Sequence, residues 1–207
     1  MTAYLDKVWQ RLRPIVIGAI GLGAAIGATP AAAGVQCYGE ALVGGSIGTN
    51  KISSGGASVT VATDGYTAGV GAGCDFVHGK WLVGGLGRAS LAHITGTVGF
   101  DAIKSDAVYM AGVRAGYVPA GETLVYLLAG YQWQGLKIPA LGTLDGSGFV
   151  YGAGLEFPLA PHVRLGLEVD RVGLGSFSDG GASIKPTATE VMLTLKFNIG
   201  SIAEAAK

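Results

Sequence analysis

The chain has 207 residues, with 14 Lys plus Arg against 14 Asp plus Glu and a formal net charge of zero. Such a balance gives no long-range pull on polyanions, and no basic run or RNA-reading motif occurs, which excludes nucleic acid as a partner. Only 14% of the residues are charged while 37 are glycine, and mean hydropathy is positive, high for a water-soluble protein.

Residues 1–33 read as a secretory signal peptide. Lys7, Arg11 and Arg13 form a basic start, Ile15 to Ala28 an apolar segment, and Pro30-Ala31-Ala32-Ala33 a small-residue end, which places cleavage after Ala33. The apolar run is shorter than the roughly 20 residues a membrane-crossing helix needs. Gln36 stands where a lipoprotein signal wants a small residue, so Cys37 is not a lipid acceptor.

From residue 34 to 199 the pattern changes to short runs of period-2 alternation, the mark of strands with two unlike faces. Eight runs are expected: 36–48, 65–77, 81–92, 106–118, 123–135, 148–158, 163–173 and 187–199, followed by a short tail, 200–207. Most are close to the 9–11 residues that a tilted strand needs to cross a bilayer. The connections alternate: 49–64, 93–105, 136–147 and 174–186 are long, and 78–80, 119–122 and 159–162 are short. Short turns at one end and long loops at the other are the habit of outer-membrane barrels.

One face of each run is apolar: Tyr66, Ala68, Val70, Ala72, Cys74 and Phe76 in the second, Val125, Leu127, Ala129, Tyr131 and Trp133 in the fifth. Strand charges fall on the other face. The expected bore therefore holds Glu40, Asp75, Arg88, Asp106, Arg114, Glu156, Arg164, Glu168, Asp170, Glu190 and Lys196, with Arg171 the exception on the outer face. Eight strands enclose just enough room for side chains to fill, so these charges pair across the bore, with Glu156 opposite Arg164. Glycines at 69, 71, 73, 84, 152 and 154 leave space for them.

A soluble container would need the opposite polarity, apolar inside and charged outside. The export signal decides against it, and so does the sorting of outward aromatics. Phe76, Trp81, Tyr117, Phe157 and Phe197 lie near the short turns, and Tyr66, Tyr109, Tyr131, Trp133, Phe149 and Tyr151 toward the long loops. Two aromatic girdles around an aliphatic band are what two membrane interfaces select. Closure of the sheet is also required, because no open edge survives in hydrocarbon.

Cys37 and Cys74 fall nearly opposite each other near the short-turn rim. Export permits a disulfide, whereas directly paired strands often hold cysteines in poor geometry for one; the sequence leaves the bridge open. His78, His93 and His162 are far apart, without metal-ligand spacing. His93, near Ser90, is the one candidate base for a hydrolase, and no nucleophile motif or orienting carboxylate accompanies it.

Four segments, Gly79-Lys80-Trp81-Leu82-Val83-Gly84, Val113-Arg114-Ala115-Gly116-Tyr117, Leu124-Val125-Tyr126-Leu127-Leu128-Ala129-Gly130 and Gly152-Ala153-Gly154-Leu155-Glu156, in that order, resemble successive strands of the small porin-like outer-membrane β-barrels of the OmpA-type superfamily. The resemblance implies an all-β, eight-stranded antiparallel up-and-down transmembrane barrel in the outer membrane of a Gram-negative bacterium. It also implies that Phe197 serves as the aromatic insertion mark read by the barrel-insertion and periplasmic chaperone machinery. Outer-membrane lipid is the expected surrounding, no cofactor is expected, and the external partner stays unnamed. The leading expectation is a non-enzymatic protein of envelope integrity and surface interaction. The alternative is a narrow porin for small solutes or ions, and behind it stand loop-mediated binding of a haem-like ligand and a lipid hydrolase.

Overall fold

The computed structural model describes residues 33–54, 57–96, 104–119, 122–138, 142–175, 177–179 and 182–201. The expected signal segment, residues 1–32, and the end of the tail therefore lie outside the described residues. Among the described residues there is no helix. The strands are β1 (Ala33–Ser54), β2 (Ala57–His78), β3 (Trp81–Gly96), β4 (Lys104–Tyr117), β5 (Leu124–Ile138), β6 (Gly142–Ala160), β7 (Val163–Leu174), β8 (Phe177–Asp179) and β9 (Ala182–Ser201). β8 is three residues long and, among the described residues, pairs only with β9, on the side of it that β7 occupies, so β7 and β8 count as one stave. Each stave pairs with the next, antiparallel, and β9 returns to β1, closing an eight-stave barrel.

Closure satisfies the backbone of every stave within the wall, which lipid demands. β1 and β9 stay in register from Gln36↔Ser201 to Ser54↔Ala182, with one shift between Cys37 and Tyr38. The short connections each turn on a left-handed residue: Gly79 (φ 60°), Glu122 (φ 63°) and His162 (φ 67°). Gly79 takes that conformation freely, while Glu122 and His162 carry its steric cost.

Three of the four long loops expected from sequence are mostly strand. The segment 49–64 is the continued β1–β2 hairpin with only 55–56 between the strands, β5 and β6 pair out to Ile138↔Gly142, and β9 starts at Ala182. The apolar alternation stops where lipid stops, but backbone pairing needs no apolar side chain and runs on. The last strand likewise reaches Ser201, two residues beyond the expected end of the barrel.

The wall is inside-out relative to a soluble barrel. Val70, Val83, Val113, Leu127 and Leu193 are exposed on its outside, whereas Glu40, Asp75, Arg88, Arg114, Glu156, Glu168 and Lys196 are buried within it. A closed apolar exterior of this kind suits hydrocarbon and not water.

Candidate functional site

Strand parity places the site. All eight staves send at least one polar side chain inward: Tyr38 and Glu40 from β1, Asp75 from β2, Arg88 from β3, Arg114 from β4, Tyr126 from β5, Glu156 from β6, Glu168 and Asp170 from β7, and Glu190 and Lys196 from β9. They form two linked clusters.

In the cluster nearer the short turns, the Arg114 guanidinium donates to both carboxylate oxygens of Asp75, through Nε at 2.9 Å and through Nη2, and to Glu156 through Nη1. Lys196 Nζ donates to Glu156 Oε1 at 2.6 Å and lies 3.6 Å from Glu40 Oε2. Two aromatic rings flank these cations. Tyr38 has Arg114 Cζ at 4.6 Å and Lys196 Nζ at 4.7 Å from its ring centre, and Tyr126 has the same atoms at 5.3 and 5.2 Å. Inside a dry wall such cation–π contacts are worth more than at a surface.

The second cluster is centred on Arg88. Its Nε donates to Glu40 Oε1 at 2.6 Å, its Nη2 to Glu168 Oε2 at 3.1 Å, and its Nη1 to Glu168 Oε1. Tyr126 Oη donates to Glu168 Oε2 at 2.5 Å, which ties the clusters together. Small residues make the room: a Cβ on Gly71 would sit 2.6 Å from Glu40 Oε1 and 2.9 Å from Arg88 Cγ, and one on Gly154 would land on the Tyr126 ring.

Beyond Arg88, toward the long-loop end, the filling stops. A cavity of about 150 Å³ remains. Leu42, Val108, Met110, Val150, Val172 and Met192 are among its walls, and Asp170, Glu190 and Arg88 lie at its inner end. Asp170 is 1% exposed, with Arg88 Nη1 4.0 Å from its Oδ2 and the Glu168 carboxylate beside it.

The other residues singled out from sequence distribute as follows. Arg164 is at the short-turn mouth, with Nε 3.4 Å from Glu156 Oε2 and Nη2 donating to the Glu122 carbonyl at 2.7 Å. The expected ion pair with Glu156 across the β6–β7 hairpin is present, but the two do not stand directly opposite: the register pairs Arg164 with Pro158 and Glu156 with Gly166, because β6 runs on to Ala160 and β7 starts at Val163, which centres the turn later than the expected 159–162. Arg171 is exposed and donates to Thr189 Oγ1 at 2.7 Å. The side chain of Asp106 lies outside those described. Cys37 and Cys74 are joined in a disulfide between β1 and β2.

The outward aromatics cluster toward the two ends of the staves. Trp81 packs on Tyr117 at 4.7 Å between ring centres, with Phe76, Phe157 and Phe197 also near the short turns. Tyr131 meets Trp133 at 5.0 Å and Phe149 at 5.2 Å, with Tyr66, Tyr109 and Tyr151 also toward the other end. His93 stacks on outward Tyr66 at 5.2 Å, whereas Ser90 lines the bore, so the two do not share a face. Among the described residues no group of three or more His, Cys, Asp or Glu is placed to hold a metal ion.

The sequence reading passed over Tyr38 and Tyr126, the inward aromatics that link the clusters. The signal was present: each has the parity of inward neighbours, Glu40 for Tyr38 and Leu124 and Leu128 for Tyr126.

The family model described as outer membrane protein beta-barrel domain matches residues 19–197. No curated protein matches the chain. Solved structures similar to it include Neisserial surface protein A, at 14% identity over 79% of this chain and 97% of that one, with a TM-score of 0.43. Ail, the attachment invasion locus protein of Yersinia pestis, is 14% identical over 77% of this chain and 98% of its own, with a TM-score of 0.40. The outer membrane protein OprG of Pseudomonas aeruginosa is 11% identical over 79% and 96%, with a TM-score of 0.46.

Proposed function

The chain belongs to the outer membrane protein β-barrel domain family, proteins of the Gram-negative outer membrane, and from that premise we propose that it is a non-enzymatic structural element of the envelope with a surface for external partners. The observation that carries the reading is the plug: Arg88, Arg114, Lys196, Tyr38 and Tyr126 fill the bore from wall to wall, each cation engaged by buried carboxylates. Solute passage would require these pairs to part in a site with little water to replace them, which is costly. The surface role draws support from β1 and β2, each 22 residues long, about twice what crosses a bilayer. With short turns facing the periplasm, as barrels of this kind are oriented, the β1–β2 hairpin projects outward. Outer-membrane lipid is the partner of the apolar band, and Phe197 on the last strand is the mark offered to the insertion and chaperone machinery.

Planar-bilayer recording from the refolded chain is the test. No discrete conductance steps are expected, and reproducible steps in the unmodified protein would replace this reading with that of a narrow porin. A cell lacking the chain is expected to take up more of a hydrophobic dye across its outer membrane; unchanged uptake would count against the envelope role.

A further inference from the structure

On three adjoining staves the loop-side end of the outer wall is positively charged. Lys51 on β1 and Lys185 on β9 are register partners on the outer face, and both are exposed. Arg171 on β7 is exposed too, paired in register with Thr189 of β9. Between these two levels Thr49 and Thr187 are partners, their hydroxyl oxygens 3.2 Å apart. The acidic residues described on the same staves, Glu40, Glu168, Asp170 and Glu190, have the opposite parity and face the bore. Among the described residues none of the three cations is in an ion pair; Arg171 donates only to the Thr189 hydroxyl.

Like charges set directly opposite each other on a sheet destabilise it, and a guanidinium on a lipid-facing wall is costly unless it reaches headgroups. An anion lodged between Lys51 and Lys185 would turn that repulsion into charge-assisted hydrogen bonds. Height along the wall says which anion. Arg171 is also the register partner of Tyr151, in the loop-side girdle that marks the membrane interface. The lysine pair lies four residues farther along β9, about 13 Å at roughly 3.3 Å per residue. Beneath Arg171 the same staves expose Val43, Val169, Val191 and Leu193, an aliphatic wall. A free anion would use the cations and leave that wall unused. An amphiphile answers both, and two cation levels so far apart suit a headgroup with phosphates at both of its ends.

We propose that the β7–β9–β1 face binds a lipid of the outer leaflet whose headgroup carries two phosphates, one held between Lys51 and Lys185 and the other by Arg171, with its acyl chains against Val169, Val191 and Leu193. The inference rests on the reading of the chain as an outer-membrane barrel with its short turns toward the periplasm. It adds the class of lipid and the side of the wall, which that reading leaves open.

The test counts bound lipid. The full chain is refolded in zwitterionic micelles, its barrel checked by gel mobility without boiling, and titrated with lipid A, an acylated disaccharide bearing two phosphates. Native mass spectrometry then reads how many lipids each barrel keeps. One retained lipid A is expected, and the same lipid stripped of both phosphates should bind about a hundredfold more weakly, the worth of three cations near an anionic surface. Lys51→Gln with Lys185→Gln should weaken retention about thirtyfold and Arg171→Gln about fivefold on the same scale. Lys51→Arg with Lys185→Arg keeps the charges and should keep the lipid. Lys104→Gln with Lys137→Gln removes two charges from register partners on β4 and β5 at the same end of the barrel, and should leave retention as it was. If the double Lys51, Lys185 variant does not fold, each single Lys→Gln variant should show about a fivefold loss. Equal retention of the phosphorylated and stripped lipids overturns the proposal. So does an equal loss in the Lys104, Lys137 variant, which would mean unspecific attraction, and so does displacement of lipid A by equimolar inorganic phosphate, which would make this a site for free anions. Conductance steps in a planar bilayer would overturn the non-conducting reading and leave these lipid counts unchanged, so the two fail separately.

Discussion

Removing the Arg88 guanidinium is the sharpest test of the plug. Arg88→Met keeps most of the side-chain volume and deletes the charge. The guanidinium donates to Glu40 at 2.6 Å and, more weakly, at 3.4 Å, and to Glu168 at 3.1 Å and through a further short contact. The side chains of Arg88, Glu40 and Glu168 are 5%, 0% and 0% exposed, so solvent screening does not discount the interaction as it would at a surface. Stripping one partner from a buried ion pair costs about 3–5 kcal/mol. Two carboxylates lose their partner here, but Glu40 keeps Lys196 at 3.6 Å and Glu168 keeps the Tyr126 hydroxyl at 2.5 Å, which holds the loss within that range instead of doubling it. Urea unfolding of the barrel refolded in phospholipid vesicles, followed by gel mobility without boiling, reads the change. Adding Glu168→Gln to Arg88→Met removes one orphaned charge and is expected to recover at least about 1 kcal/mol, a coupling that a double-mutant cycle isolates. A loss under about 1 kcal/mol for the single variant, with no recovery in the double, would mean that water already solvates the bore, and the plug argument would fall.

Three further outcomes test other parts of the structure. On β4, Val113 stands midway between Tyr109 and Tyr117 on the outer face, so Val113→Arg should cost about 2–4 kcal/mol in vesicle unfolding, against about 0–1 for Phe149→Arg in the loop-side girdle; equal costs would deny the membrane span its assigned depth. The Cys37–Cys74 disulfide closes a separation of 37 residues, so Cys37→Ser with Cys74→Ser should lose about 4 kcal/mol on the chain-entropy model. Thiol titration of the unreduced unmodified chain should find none reactive. Gly154→Val drives a side chain into the Tyr126 ring and should cost about 1–3 kcal/mol by overpacking, measured by the same unfolding, whereas the substitution at Gly39, where a Cβ meets nothing, should be nearly silent.

The sequence carried the faces of the wall because parity is local. Whether Val125 or Tyr126 turns outward depends only on which neighbours share its period, and Gln132 and Leu124 place Tyr126 inside. It carried the short turns for the same reason, since a break in alternation sits within a few residues of its cause. Pairings across the bore are of another kind. Arg88 on β3 reaches Glu168 on β7, four staves away, and Tyr126 on β5 reaches the same carboxylate. Those meetings are set by the stagger with which the sheet closes, and stagger is a sum over all eight pairings, including the bulges at Cys37, Leu91, Ser105 and Pro158. One residue misplaced at any bulge moves every charge beyond it, which is why the sequence supplied the charged members of the network and not their wiring.

The division of the bore into plug and cavity follows from volume on a single parity class. Toward the short turns the inward positions carry Tyr38, Leu82, Arg114, Leu124, Tyr126 and Lys196, and the glycines among them, such as Gly73 and Gly154, are each taken up by a tyrosine ring. Toward the loops the inward positions include Ser46, Gly48, Ser90, Ala92 and Ala188, too small to meet across eight strands. Asp170 sits at the boundary, still inside the buried zone, with Arg88 Nη1 at 4.0 Å. A larger residue at position 90 or 188 would extend the plug past it. Ser90 and Ala188 instead leave the bore open on the loop side, so the same small residues that end the plug also create the cavity.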